Sequence, residues 1–319
     1  MTVAKLNLNQ EIKKVEKRLN DIIVSNDPVI EEAALDLLAS GGKRIRPAFV
    51  VLSSQFGEHT TEDTYRIAVA LELIHMATLV HDDVIDKSDK RRGKPTIAKQ
   101  WDQDIAILTG NFLLALALEH ISTVKHERVH HVISHAILDV CRGELFQFQD
   151  QFNANQNVVN YLRRINRKTA LLIQLSTEVG AITADADDKT VHKLKRIGHY
   201  IGMSFQIMDD ILDFTSTEKQ LGKPVGSDLL NGHITLPVLL EMRNNSEFKQ
   251  RIQQLNANSP KEEFQHCINI IRASSVIEEA QRVSDHYLAK TLDLIESLGN
   301  EDAKKLFNKI INKMAKRNK

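Results

Sequence analysis

The sequence predicts an all-α protein, and three observations carry that expectation. Gly (13) and Pro (6) are scarce in a chain of 319 residues, well below the usual ~7% and ~5%. Long segments repeat their apolar residues at a helical period. No stretch alternates apolar and polar residues convincingly enough to read as a strand. Helices are expected over 4–24, 28–39, 44–56, 62–87, 96–123, 125–151, 157–184, 187–214, 234–243, 246–255, 260–273, 275–297 and 300–317.

Breaks between them fall at "SNDP", "SGGKRIRP", "FGEHTTED", "DKSDKRRGKPT", "TADADDKT", "TSTEKQLGKPVGSDLLNGH" and "NANSPKE". Asp27 before Pro28 reads as an N-cap followed by the first helical position, and Thr61 with Thr64 and nearby acids opens the next long helix. Two segments, "YRIAVALELIHMATLVHDDVID" and "IGHYIGMSFQIMDDILDF", are apolar nearly all round. A surface helix would show one stripe, so these are expected at the centre of a bundle. No fixed-period repeat runs through the chain. No shift in composition marks a boundary, so a single helical domain over 1–319 is expected.

Composition excludes several function classes. Lys+Arg and Asp+Glu are both 42, a net charge of zero, which argues against a general nucleic-acid or anionic-membrane binder. The two cysteines, Cys141 and Cys267, lie far apart, with no CxxC pair for zinc and no disulfide framework. A reducing compartment is expected, with both thiols in the core. The first twenty residues, "MTVAKLNLNQEIKKVEKRLN", lack a signal peptide's apolar stretch, and no run of ~18 apolar residues occurs. The expectation is a cytosolic protein with no membrane span.

Chemistry concentrates where the two apolar helices end. Asp82, Asp83 and Asp86 in "HDDVID" repeat the DDxxD spacing of Asp209, Asp210 and Asp213 in "MDDILD". On a helix, positions i and i+4 share a face about 5–6 Å apart. Two such pairs facing one another across a bundle would line a cleft with carboxylate oxygens. Such hard ligands suit Mg²⁺, which keeps waters and completes its shell from phosphates. A single cluster could be a solvated helix end. Two, each closing an all-round apolar segment, call for cations, because burying unpaired carboxylates costs several kcal/mol each.

Basic groups recur beside them. "GGKRIRP" places Lys43, Arg44 and Arg46 after a flexible Gly-Gly turn. Arg91 and Arg92 follow the first acidic cluster, "NRKTALL" offers Lys168 and Thr169, and "LGKPVGSD" offers Lys223. Any one of these could be a solvated surface group. Taken with two acidic clusters, they describe a site for two polyphosphates, one held through metal and one directly by cations. No Walker pattern, no GxGxxG and no motif-framed nucleophilic Ser or Cys is present. A metal-held diphosphate among apolar helices suits chemistry in which diphosphate leaves and a dry cavity protects a carbocation.

In order and spacing, "GGKRIRP", "LVHDDVIDKSDKRRG", "KTA", "FQIMDDILD" and "GKPVGSDL" resemble the motifs of the trans-isoprenyl diphosphate synthases. Within that family the chain is similar to the catalytic component of bacterial heptaprenyl or hexaprenyl diphosphate synthases. The match spans roughly residues 40–240. The resemblance implies the isoprenoid synthase fold, a large helical bundle around a central apolar cavity. It implies condensation of isopentenyl diphosphate with an allylic diphosphate such as farnesyl diphosphate, for the menaquinone side chain.

The resemblance also implies roles. Asp82 and Asp86 would ligate two Mg²⁺ on the allylic diphosphate, with Asp83 in the same motif. Asp209 would bind a third Mg²⁺, with Asp210 and Asp213 supporting through water. Lys43, Arg46 and Arg92 would hold isopentenyl diphosphate, with His75 beside them. Arg91, Lys168 and Lys223 would hold the allylic diphosphate, and Thr169 and Gln206 would face the developing cation. Released diphosphate would be the base. From the residues alone, His75 reads more readily as a satisfied core histidine than as a functional one, and Gln206 reads equally as a core amide paired to the backbone. The chain departs from the family pattern at His233, where a lysine is usual.

Small residues at Ala77 and Thr78, one turn before Asp82, would leave a tunnel for the growing chain, with Ile74 and Leu71 deeper. Ala77 could instead simply allow close helix packing. A class I terpene cyclase would share one acidic motif, but would not be expected to carry a second DDxxD with "GGKRIRP". A non-catalytic subunit would be expected to have lost aspartates. Related synthases work as homodimers or as heterodimers with a small subunit, and the sequence leaves that choice open.

Overall fold

Helix starts follow local side-chain chemistry. A computed structural model describes residues 6–91, 93–218 and 224–315. Asn7 caps α1 (Leu8–Ile22) by accepting from the Gln10 amide. Asp27 accepts from the amides of Val29 and Ile30 ahead of α2 (Pro28–Ala39), with Pro28 in the first turn as expected. α3 (Ile45–Ser53) runs into a 3₁₀ turn, Ser54–Phe56. Thr61 and Thr64 form a reciprocal capping box that opens α4 (Glu62–Ile85). Two short strands, Lys90–Arg91 (β1) and Lys94–Pro95 (β2), pair antiparallel. α5 (Ile97–Gln100), α6 (Gln103–Ser122) and α7 (Glu127–Gln149) follow.

α8 (Val158–Ile165) continues through a π turn, Asn166–Ala170, into α9 (Leu171–Ile182). The rest of the chain is α10 (Asp188–Thr215), α11 (Ser227–Leu230), α12 (Leu236–Asn244), α13 (Ser246–Gln254), α14 (Lys261–Ala273), α15 (Val276–Glu296) and α16 (Glu301–Ala315). The backbone falls into two compact units. One comprises the chain up to His135, Leu172–Gly198 and Ile295–Lys309; the other comprises Ala136–Leu171, His199–Leu294 and the chain from Ile310.

In the first unit, α4 is buried nearly all round, as its sequence predicts: Ile67, Ala70, Leu71, Leu73, Ile74, Met76, Ala77 and Val80 are all buried. It packs along α6 and against α3 and α1. Gly110 on α6 admits His81, the residue before Asp82; a Cβ there would overlap the imidazole ring. In the second unit, α10 contributes Met203, Ile207, Met208, Ile211 and Phe214 to a core with Tyr161, Phe248 and Phe264. Each fully buried Ile, Leu, Met or Phe is worth about 1.5–3 kcal/mol, which fixes the helix ends that carry the aspartates.

The structure departs from the expected elements in identifiable places. The helix expected over 96–123 is two helices. Asp102 adopts an extended conformation and caps α6 by accepting from the Ile105 amide at 2.8 Å. The helix expected over 157–184 is interrupted by the π turn, and the long break after α10 contains α11. Cys267 is buried, but Cys141 is exposed. Cys141 lies on a face of α7 shared with Leu138, Leu145 and Phe148, all outward-facing. Among the described residues, α6 alone has the length and apolar composition of a membrane-crossing helix. It packs on α4 and α2, which buries Leu113, Ala117 and Ile121, and it leaves Ile107, Leu108 and Leu118 exposed.

Candidate active site

The first acidic cluster ends α4. Asp82 and Asp86 are half-buried, whereas Asp83 is buried at 6% exposure. One residue along a helix is a turn of about 100°, so adjacent aspartates face different ways. Asp83 turns inward and takes a two-point contact from Arg91: Nε donates to Oδ2 and Nη2 to Oδ1, both at 2.7 Å. Burial pushes the Asp83 carboxyl up, and Asp82 and Asp86 add to that; the Arg91 contact pulls the other way. β1 delivers Arg91 to this position, and Thr96 Oγ1 closes the connection by donating to the Ser88 carbonyl.

The basic loop of the same unit is anchored from inside. Arg44 has a positive φ of 46° and precedes α3, a conformation that costs a non-glycine residue energy. Its guanidinium offsets that cost. Nη1 donates to Glu72 Oε1 at 3.1 Å, Nη2 donates to the Leu38 carbonyl at 2.8 Å, and Glu16 lies 3.3 Å from Nε. Arg44 is therefore a buried tether, and the flanking Lys43 and Arg46 are exposed and half-buried. On α4, His75 and Thr78 are half-buried, and Thr78 donates to the His75 carbonyl; Ala77, Ile74 and Leu71 are buried.

In the second unit the carboxylates again divide. Asp209 is exposed, while Asp210 and Asp213 are 2% and 1% exposed. A chain of side chains runs inward from the π turn. Thr169 Oγ1 donates to Gln206 Oε1 (2.6 Å), Gln206 Nε2 donates to Asp210 Oδ1 (2.7 Å), and Tyr161 donates its hydroxyl proton to Asp210 Oδ2 (2.7 Å). Burial, with repulsion from Asp228 and Asp209, pushes the Asp210 carboxyl up to about 8; the Tyr161 and Gln206 donors oppose this. Arg164, buried nearby, donates to Gln156 and to the Ile234 carbonyl. Asp213 accepts from Ser227 Oγ (2.9 Å) and the Asp228 amide (3.2 Å), so it caps α11. Asp210 and Asp213, expected to support a metal through water, thus accept directly from protein groups.

Lys168 lies on the π turn with its Nζ 3.1 Å from Glu144. Such turns recur at functional sites because they reset the side-chain register. Gly202 on α10 lets the turn approach, since a Cβ there would overlap Ala170. His233 is half-buried, its amide bonded to the Asp228 carbonyl. Arg92 and Lys223 lie outside the described residues. Among the described residues, no group of three or more His, Cys, Asp or Glu side chains forms a ready ligand set. Asp82 and Asp86, one turn apart on α4 and both partly accessible, offer the one or two carboxylates that an ion such as Mg²⁺ takes before it fills its shell from phosphate and water.

The sequence reading missed Glu72, Glu144 and Tyr161. Glu72 left a signal, as the one carboxylate inside the apolar "ALELIHMA" run. Tyr161, seven residues before Lys168, has none beyond its helical spacing.

A helical fold in which α4 and α10 each end in DDxxD, with lysines and arginines on the elements around them, points to a class: enzymes that handle prenyl diphosphates. Comparison with known proteins narrows it. A polyprenyl synthetase family model matches residues 27–271. Heptaprenyl diphosphate synthase component 2 of Bacillus subtilis (strain 168) is 47% identical over 291 residues, 91% of this chain and 83% of that protein. The crystal structure of heptaprenyl diphosphate synthase from Staphylococcus aureus superposes with a TM-score of 0.97 at 68% identity, covering 99% of this chain and 100% of that one. A polyprenyl synthase from Caulobacter crescentus, solved with calcium and isoprenyl diphosphate, has a TM-score of 0.89 at 27% identity, covering 96% and 94% of the two chains. The chain belongs to the polyprenyl synthetase family, as a prenyltransferase with the isoprenoid synthase fold.

Proposed function

We propose that the chain makes heptaprenyl diphosphate by adding isopentenyl diphosphate to an allylic diphosphate such as farnesyl diphosphate. The observation that carries the site assignment is the division of the six aspartates by exposure. Asp82, Asp86 and Asp209 are the accessible ones, and they are the proposed ligands of Mg²⁺, two ions at the first cluster and one at the second. Bound Mg²⁺ would neutralise the allylic diphosphate and stabilise the charge that develops as it departs.

The chain's own residues would do the rest. Lys43, Arg46 and Arg92 hold the second diphosphate, with His75 beside them. Arg91 is oriented by Asp83, and with Lys168 and Lys223 it holds the allylic diphosphate. The Thr169–Gln206–Asp210 chain fixes oxygen atoms toward the developing allylic cation. Isopentenyl diphosphate supplies the alkene electron pair for the new C–C bond, and released diphosphate takes the proton lost afterwards. The apolar wall of α4, with Ala77 and Thr78 small, leaves room for chain growth past short products.

Within this reading the 319 residues act as one catalytic domain, in the cytoplasm, and the product supplies the side chain of a quinone such as menaquinone. Relatives named as a second component support a partner, a small non-catalytic subunit, with homodimerisation as the other arrangement. The test is incubation with labelled isopentenyl diphosphate, farnesyl diphosphate and Mg²⁺, with and without a candidate partner. The expected outcome is a radiolabelled C35 product that chelation abolishes. No incorporation in either arm refutes the proposal, and a shorter product refutes the chain length.

A further inference from the structure

Apart from the carboxylates, α7 carries a pair of exposed imidazoles that the prenyl chemistry does not use. His131 and His135 are one helical turn apart and share a face. Their rings lie against each other, with centroids 4.4 Å apart. The two Nε2 atoms approach to 3.2 Å. The turn that carries them is fixed from the other side by Val129, Ile133 and Ala136, all buried.

That separation has a coordination meaning. Zinc binds imidazole nitrogen at about 2.0–2.1 Å. An ion about 2.05 Å from both atoms, themselves 3.2 Å apart, sees them at an angle of about 103°. This is near the tetrahedral value of about 109° that Zn²⁺ prefers, and further from the 90° of a square plane. The geometry points to a second metal site, for Zn²⁺ and unrelated to the Mg²⁺ chemistry, chelated by Nε2 of His131 and Nε2 of His135 with water completing the tetrahedron.

The protons balance without a base. In the empty pair one Nε2–H donates to the other Nε2. Binding needs both Nε2 lone pairs, so the donor ring passes to its Nδ1–H tautomer through solvent and stays neutral. Mg²⁺, which prefers oxygen and resists dehydration, does not compete for this pair.

Calorimetric titration of the full-length chain with Zn²⁺, in saturating Mg²⁺ to occupy the carboxylates, tests the site. Wild type, His131→Ala, His135→Ala and His130→Ala are compared, and circular dichroism checks folding. His130 is adjacent but bonded to the Val124 carbonyl at 2.7 Å, so His130→Ala is the control. The expected result is one equivalent of Zn²⁺ lost in each of the first two variants and retained in the third. Zn²⁺ should also raise Tm in wild type and in the His130 variant by more than in the other two. Equal stoichiometry and affinity in all four proteins overturns the proposal. So does loss in only one of the first two variants, because a chelate needs both rings.

Discussion

Tyr161→Phe tests whether the Thr169–Gln206–Asp210 chain is held from within. The substitution removes one oxygen and keeps the ring, so the buried packing of Tyr161 is preserved. What is lost is a 2.7 Å donor to a carboxylate that is itself 2% exposed. Leaving a buried acceptor short of its donor costs about 1–3 kcal/mol. With an unfolding entropy of about 2.1 cal/mol/K per residue, the whole chain has about 0.67 kcal/mol/K, so a loss of 2 kcal/mol lowers Tm by about 3 °C. The Tyr161 donor also opposes the upward push on the Asp210 carboxyl, so its removal makes that group harder to ionise and loosens Gln206. We expect kcat to fall about tenfold, equivalent to about 1.4 kcal/mol, with KM for both diphosphates within about twofold. Calorimetric melting and steady-state kinetics measure these, and a cycle with Asp210→Asn measures the coupling. If Tyr161→Phe costs as much in the Asp210→Asn background as in wild type, the hydroxyl does not act through Asp210 and the reasoning fails.

Glu72→Gln leaves the buried Arg44 guanidinium without its main counter-charge and should cost about 3–5 kcal/mol in denaturant unfolding. A loss below about 1 kcal/mol would mean that Glu16 alone suffices. Ala77→Phe fills the α4 wall one turn before Asp82. Products should shorten by several isoprene units on chromatography, and an unchanged length rules out the tunnel assignment. His233→Lys restores the residue usual in the family and should retain or raise turnover; a large loss refutes the alignment of His233 with that lysine.

Helix content was legible because scarce Gly and Pro and 3.6-residue periodicity are properties of the chain itself. Asp27 and Thr61 were legible as caps for the same reason: a cap is a contact within four residues. Asp102 carries the same chemistry, but no Gly or Pro stands beside it in "IAKQWDQDIAIL", and that hides the start of α6. The aspartates were legible as a repeated spacing, whereas their partners were not. Glu72 meets Arg44 across 28 residues, and Tyr161 meets Asp210 across 49. Nothing in a local pattern encodes such a distance. By charge Arg44 groups with Lys43 and Arg46, and only the fold separates a tether from its neighbours. Cys141 is exposed where the sequence predicts a core thiol, because a thiol's burial depends on which face of α7 is covered.

The two DDxxD motifs look alike, but spacing alone does not tell which carboxylates bind and which build. At the first position, Asp82 and Asp209 are accessible; at the second, Asp83 and Asp210 are buried and bonded to protein donors in both motifs. The fifth position differs, because Asp86 ends α4 half-buried while Asp213 is consumed in capping α11. Neutral substitutions therefore separate the two jobs. Asp82→Asn should leave stability within about 0.5 kcal/mol and lower kcat/KM by about 10² or more, with a higher Mg²⁺ requirement. Asp83→Asn strands Arg91 and should cost about 3 kcal/mol of stability. Its residual activity should show an unchanged Mg²⁺ requirement and a raised KM for the allylic diphosphate. If both variants lose Mg²⁺ affinity equally and neither loses stability, burial is not what divides the motif.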